Sequence, residues 1–203
     1  MICPRECIGC RTFPCIDVNH SRYIVPEIAI DPDTVRVILI SEAAPTMPED
    51  FYYAGTGSLF AQTTCEAFQD AGAPVRTVDD ILGLGVYLTT AVKCGKTGYA
   101  IATPTVHECS VILAEELALF PNVRALLLMG DVAIKAINAI AKRAGEPRVI
   151  PSGATYKLRG GTYTFRGMRA FPSYLQAGPS FYIEKSKRKA IGEDIAAALA
   201  WAA

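Results

Sequence analysis

From Arg36 to Ile40 the chain reads RVILI, a β-branched apolar run without the alternation that lets one face of a strand meet water. Such a run suits a strand buried on both faces, inside a sheet that helices cover on either side. It stops abruptly at Ser41-Glu42. The loop beyond holds Pro45, Pro48, Glu49, Asp50 and the cluster Phe51-Tyr52-Tyr53, then Gly55 and Gly57. Ser58 is placed to cap a helix running through Leu59, Thr63 and Phe68. Open α/β sheets put their ligand sites just past the carboxyl ends of central strands. The function is therefore expected in the stretch Val35–Phe60.

The same grammar repeats along the chain. Gly85–Val92 (GVYLTTAV) and Arg124–Met129 (RALLLM) read as further buried strands, and Met168–Phe171 as a short fourth. The first helix, Ser58–Ala71, closes on Gly72-Ala73-Pro74. A second starts at Thr105, with Glu108 spaced as its capping-box partner, and ends at Pro121. A third spans Val132–Ala144, with Asp131 as N-cap and Gly145 as its stop. The last carries Ile191, Ile195, Ala198 and Leu199 on one face and Lys185, Lys187, Arg188 and Lys189 in its first turns. Val149–Gly167 alternates like a hairpin with Gly160-Gly161 at its turn. Strands alternating with helices predict an α/β fold: three layers, α/β/α, around a mainly parallel four-stranded central sheet. One domain over residues 1–203 is expected, with residues 1–34 an irregular segment held down by something other than a core.

Composition narrows the partners. A formal net charge of zero removes the global field of a non-specific nucleic-acid coat and leaves only a local basic groove open. The amino terminus lacks a basic-then-apolar leader, and Ala125–Met129 is too short to cross a bilayer. The chain thus reads as a soluble, cytoplasmic monomer with no membrane partner.

Four of the seven cysteines, Cys3, Cys7, Cys10 and Cys15, fall in the first fifteen residues. In an intracellular chain such crowding points to metal ligation rather than disulfides. Cys7 and Cys10 form a C-x2-C pair, Cys94 ends the second strand, and Cys109 lies in the first turn of the next helix. Four thiolates suit zinc or an iron–sulfur cluster, and the wide split between Cys94 and Cys109 favours the cluster over a zinc ribbon. The alternative is that Cys94 and Cys109 are buried apolar thiols, as Cys65 is expected to be. Cys3 and Cys15 are spare or alternative ligands.

These segments together resemble the uracil-DNA glycosylase superfamily, in its branch carrying a four-iron cluster. Cys7, Cys10, the Cys94 of LTTAVKC and Cys109 match that branch's ligand pattern. Ser41-Glu42-Ala43-Ala44-Pro45, followed by Glu49-Asp50 and Tyr53, is similar to its first motif. RALLLMGDVAIKAI resembles its third strand and Gly-led helix, and FPSYL at Phe171–Leu175 its His-Pro-Ser-Tyr-Leu motif. The resemblance implies hydrolysis of the N-glycosidic bond of uracil or another deaminated base in single- or double-stranded DNA, with a 4Fe-4S cluster (or zinc) on Cys7, Cys10, Cys94 and Cys109. Glu42 and Asp50 would handle the sugar cation and the water, and backbone around Ala43 the base carbonyls. Tyr53 would stack on the flipped base. Pro172, Ser173, Tyr174 and Leu175 would grip the DNA, Leu175 as the wedge. Two positions depart from the pattern: the base-reading Asn is replaced by Thr90 and the His by Phe171, which has no hydrogen to donate. Two other readings stay open: a DNA-binding protein on this fold with a structural cluster, and a zinc-stabilised hydrolase of small nucleotides.

Overall fold

A computed structural model describes residues 1–203. Its chain runs α1 (Pro4–Cys7), β1 (Val18–Asn19), β2 (Val37–Ala44), α2 (Leu59–Asp70), α3 (Val78–Gly83) and β3 (Val86–Lys96). Then come α4 (Thr103–Ala118), β4 (Ala125–Met129), α5 (Asp131–Arg143), α6 (Thr155–Leu158), β5 (Tyr163–Phe165), β6 (Met168–Ser173) and α7 (Lys185–Ala202). The strands form one sheet in the order β1-β3-β2-β4-β6-β5. β3, β2, β4 and β6 are parallel, and the short β1 and β5 pair antiparallel at the two edges. The sheet thus has six strands rather than four. The two extra strands are two and three residues long, too short for any period to show in the sequence.

The apolar runs behave as their composition demands. Ile38 and Ile40 of β2, with Leu126 and Leu128 of β4, pack under α4 and α5 on one face. Val37, Leu39, Leu127 and Met129 pack under α2 and α7 on the other. Alternate residues of one strand serve two cores, so both faces must be apolar. Ser58 caps α2 by accepting from the Ala61 N–H at 3.2 Å, and Gly72 leaves it with φ +85°, as the sequence indicates.

Three local expectations give way. α4 starts at Thr103, because Thr105 spends its hydroxyl on Asp17 of the amino-terminal segment instead of capping. Gly130, at φ +100°, is the N-cap of α5, and Asp131 is its first residue. Within Val149–Gly167, α6 precedes β5, and the hairpin turn falls at Arg166-Gly167, where φ is +49° and +84° as a two-residue turn of that hand requires. The amino-terminal segment is not wholly irregular: it contributes α1, edge strand β1 and a bridge from Ile2 to Ile30.

Candidate functional site

The carboxyl ends of the four parallel strands open into one cleft of about 810 Å³. β2 delivers Glu42 and Ala43 to it, β3 delivers Lys96, the β4–α5 turn Gly130, and the segment after β6 Tyr174 and Leu175. Asp50 and Phe60 enter from the β2–α2 connection.

Glu42 is set by close packing. A Cβ on Gly130 would lie 2.7 Å from its Oε1, and φ at Gly130 is +100°, so this corner of the cleft tolerates only glycine. The Lys96 ammonium stands 3.7 Å from the other Glu42 oxygen, with the carboxylate side chain 19% exposed. Gly130→Ala is expected to cost about 1–3 kcal/mol through backbone strain. It should also push the Glu42 carboxylate off its perch. Urea denaturation and a crystal structure of the variant check the two effects separately. Asp50 is oriented by the start of α2, its Oδ1 accepting a long 3.4 Å bond from the Leu59 N–H.

Five of the expected substrate contacts are not in the cleft. Tyr53 turns inward: its hydroxyl donates to the Leu88 carbonyl and accepts from the Leu88 N–H, both at 3.0 Å, and burial pushes its phenol well above the usual range. Phe60, in the first turn of α2, lines the cleft instead, along with Tyr99, Tyr174 and Phe181; its ring meets Tyr52 at 5.4 Å. Thr90 is fully buried, and its hydroxyl donates back to the Val92 carbonyl at 3.0 Å. Phe171 lies inside β6, opposite Leu127, with the Arg169 guanidinium 5.3 Å from its ring. Pro172 and Ser173 remain in the strand as well, and the Ser173 hydroxyl is engaged by buried Asp194 at 2.5 Å. Of the expected grip, Tyr174 and Leu175 reach the cleft. Lys187 and Arg188 of the basic run also line it, with Arg188 tied to Asp70 at 2.5 Å.

The thiols gather behind the β3 end of the cleft. Burial pushes Cys94 up to about 12, and the neighbouring thiols Cys109, Cys15 and Cys10 add to the shift in that order. Burial likewise pushes Cys109 up to about 11, against a lowering hydrogen bond from the Lys93 backbone, with Cys15 and Cys10 raising it further. Cys15 is raised by burial too, and it shares hydrogen bonds with Thr105 and Cys109. The group of four is therefore Cys10, Cys15, Cys94 and Cys109. Cys7 is exposed on α1 and outside it. The turn from Cys10 to Cys15 is made by Phe13 at φ +45°, whose N–H donates to the Cys10 sulfur at 3.3 Å. A non-glycine residue held there is strained, and such strain persists where surrounding structure enforces it. Burial makes Cys15, Cys94 and Cys109 resist ionisation, and a cationic metal centre is what would make them thiolates. The donor set fits a thiolate-bound cluster. No three Cys, His, Asp or Glu side chains are placed to hold a single metal ion.

The model of the uracil DNA glycosylase superfamily matches residues 29–195. A type-5 uracil-DNA glycosylase of Thermus thermophilus is 29% identical over 100 residues, which are 49% of this chain and 46% of that protein. The chain thus spans about half the length of this curated relative.

Proposed function

The chain belongs to the uracil DNA glycosylase superfamily, and on that premise we propose that it excises uracil or another deaminated base from DNA. The observation that carries this reading is a carboxylate, Glu42, packed on Gly130 at the carboxyl end of β2 with Lys96 beside it. Breaking the C1′–N bond leaves its electron pair on the base and a positive, oxocarbenium-like sugar. Water then adds to C1′ and gives up a proton, which ends on the base. Glu42 supplies fixed negative charge to the sugar cation, and Lys96 supplies positive charge to the departing base anion. Asp50 holds the water and accepts its proton. Phe60 takes the stacking role, and Leu175 fills the gap in the base stack that the flipped base leaves.

Cys10, Cys15, Cys94 and Cys109 would hold a 4Fe-4S cluster, with zinc as the alternative. Each thiolate of such a cluster binds a different iron, so its ligands stand farther apart than four sulfurs about 2.3 Å from one zinc ion. When bound, the cluster supplies a covalent tie between the amino-terminal segment and both ends of the β3–α4 loop.

Single-turnover assays on oligonucleotides carrying uracil, hypoxanthine or xanthine test the reading. At least one lesion should be excised, and Glu42→Gln should slow that excision about 100- to 1000-fold. Excision that Glu42→Gln leaves untouched removes Glu42 from the mechanism. Thr90 turned away from the cleft, and Phe171 offering no donor where the family pattern has its His, favour a second reading, a DNA-binding protein that does not cut. On that reading every oligonucleotide survives intact.

A further inference from the structure

Tyr99 is 99% exposed, yet the loop that carries it is nailed down at both ends. Asp17 does the nailing. Its backbone carbonyl accepts from the Thr97 hydroxyl at 2.8 Å, and its carboxylate accepts from the Ala102 N–H at 2.6 Å and from the Thr105 hydroxyl. A fixed loop that holds an aromatic ring wholly in water forgoes the burial that normally accounts for such a residue. The ring lines the same cleft as Glu42, with the Lys96 ammonium 5.7 Å from its centroid. Tyr174 repeats the arrangement from the β6 side, with the Lys187 ammonium 5.5 Å from its ring. Both rings therefore stand on the rim of one cleft.

The electrostatics of that mouth are neutral. Lys96 is paired with Glu42, Lys135 with Asp131 and Lys187 with Glu184. Phosphate attraction, the usual source of affinity for duplex DNA, is therefore weak here. What the mouth offers instead is two ring faces, and a ring can stack only on a base whose own face is free. A duplex hides those faces; an unpaired strand presents them.

We propose that the cleft selects an unpaired DNA strand, with Tyr99 and Tyr174 stacking on bases that flank the one drawn in beside Glu42. The proposal rests on the reading of this chain as a DNA-acting protein, but not on its cutting. Anisotropy of a fluorescein-labelled 15-nucleotide single strand and of its duplex tests it on the intact protein. The single strand should bind at least tenfold more tightly. Tyr99→Ala should weaken it about five- to a hundredfold, and Tyr99→Phe, which keeps the ring, should not. Affinity should fall with salt with a log–log slope shallower than about −1. Because Tyr99 touches so little, its circular dichroism melt should match the parent's, which separates lost stacking from lost folding. Equal affinity for duplex and single strand, or single-strand binding that Tyr99→Ala leaves unchanged, overturns the proposal even where uracil is excised. Tyr99-dependent single-strand binding with no excision of any lesion supports it and defeats the glycosylase reading instead.

Discussion

Cys15→Ser is expected to leave the purified protein without its iron and without the brown chromophore, while Cys7→Ser keeps both. The sequence favours the C-x2-C pair, Cys7 with Cys10, because tight pairs are the usual unit of thiolate sites. The fold replaces the first member. Cys7 is exposed on α1, whereas Cys109, Cys15 and Cys10 all lie near enough to Cys94 to add to its resistance to ionisation. A serine hydroxyl does not ionise near neutral pH and is a poor iron ligand, so one substitution should empty the site. The stability consequence is large as well. A cluster on these thiols would join residue 10 to residues 94 and 109, and closing a loop of about 100 residues in the unfolded chain contributes roughly 4–5 kcal/mol in the loop-entropy model. Iron analysis, the visible spectrum and the thermal midpoint of the two variants decide the matter. Iron retained by Cys15→Ser and lost by Cys7→Ser would restore the pair favoured by the sequence. Zinc in place of iron, lost in the same variant, would keep the ligands and change the metal.

What the sequence makes legible follows from where the physics is local. The buried strand β2 needs only a run of apolar residues, but it continues through Ser41-Glu42 to Ala44 rather than ending at that pair, because the parallel pairing with β3 carries it on. Ser58, Gly72 and Gly145 act within one turn of a helix, and each stands where local chemistry places it. The position of Glu42 in a cleft at the strand end follows from the topology of any parallel sheet. The directions of particular side chains do not. Tyr53 and Phe60 are both aromatics near the same turn, and the bond from the Tyr53 hydroxyl to Leu88 of a neighbouring strand, 35 residues away, decides between them. Phe60 had one local signal, its place in the first turn of a capped helix that begins at the cleft. Lys96 and Gly130 had less, since their importance lies in what they meet, the carboxylate of Glu42. Thr90 shows the same limit: a strand residue's register is legible, but its hydroxyl chooses the Val92 carbonyl over the cleft for reasons of local geometry. The left-handed Phe13, which brings Cys15 round to Cys10, breaks the ordinary preference of a bulky residue and leaves no compositional trace.

The second large effect lies behind β3. Glu116→Ala is expected to destabilise the protein by about 3–5 kcal/mol, a large part of the roughly 5–15 kcal/mol that holds a domain together. The Lys93 ammonium and the Glu116 carboxylate pair with both side chains wholly out of water. Around them the Tyr87 hydroxyl donates to Glu116 at 2.7 Å and the Thr89 hydroxyl at 2.9 Å, while the ammonium also donates to the Thr90 carbonyl at 2.7 Å. Every charge is matched, so removing one partner strands the other in a medium that solvates it poorly. The pair itself need not be net stabilising, because desolvating both ions offsets much of their attraction. Lys93→Met combined with Glu116→Leu should therefore recover most of what either single change loses, a coupling that urea denaturation of the four proteins measures directly. If the losses simply add, the two charges do not compensate each other. The pair also bears on the thiols, since the Lys93 charge favours ionisation of Cys109 and the next residue is Cys94. A polar network this deep fixes the path of β3 just before the strand places Cys94 among the thiols and, two residues on, Lys96 at the cleft. The double variant should then fold and hold iron, while Glu116→Ala should lose iron in step with its folded fraction.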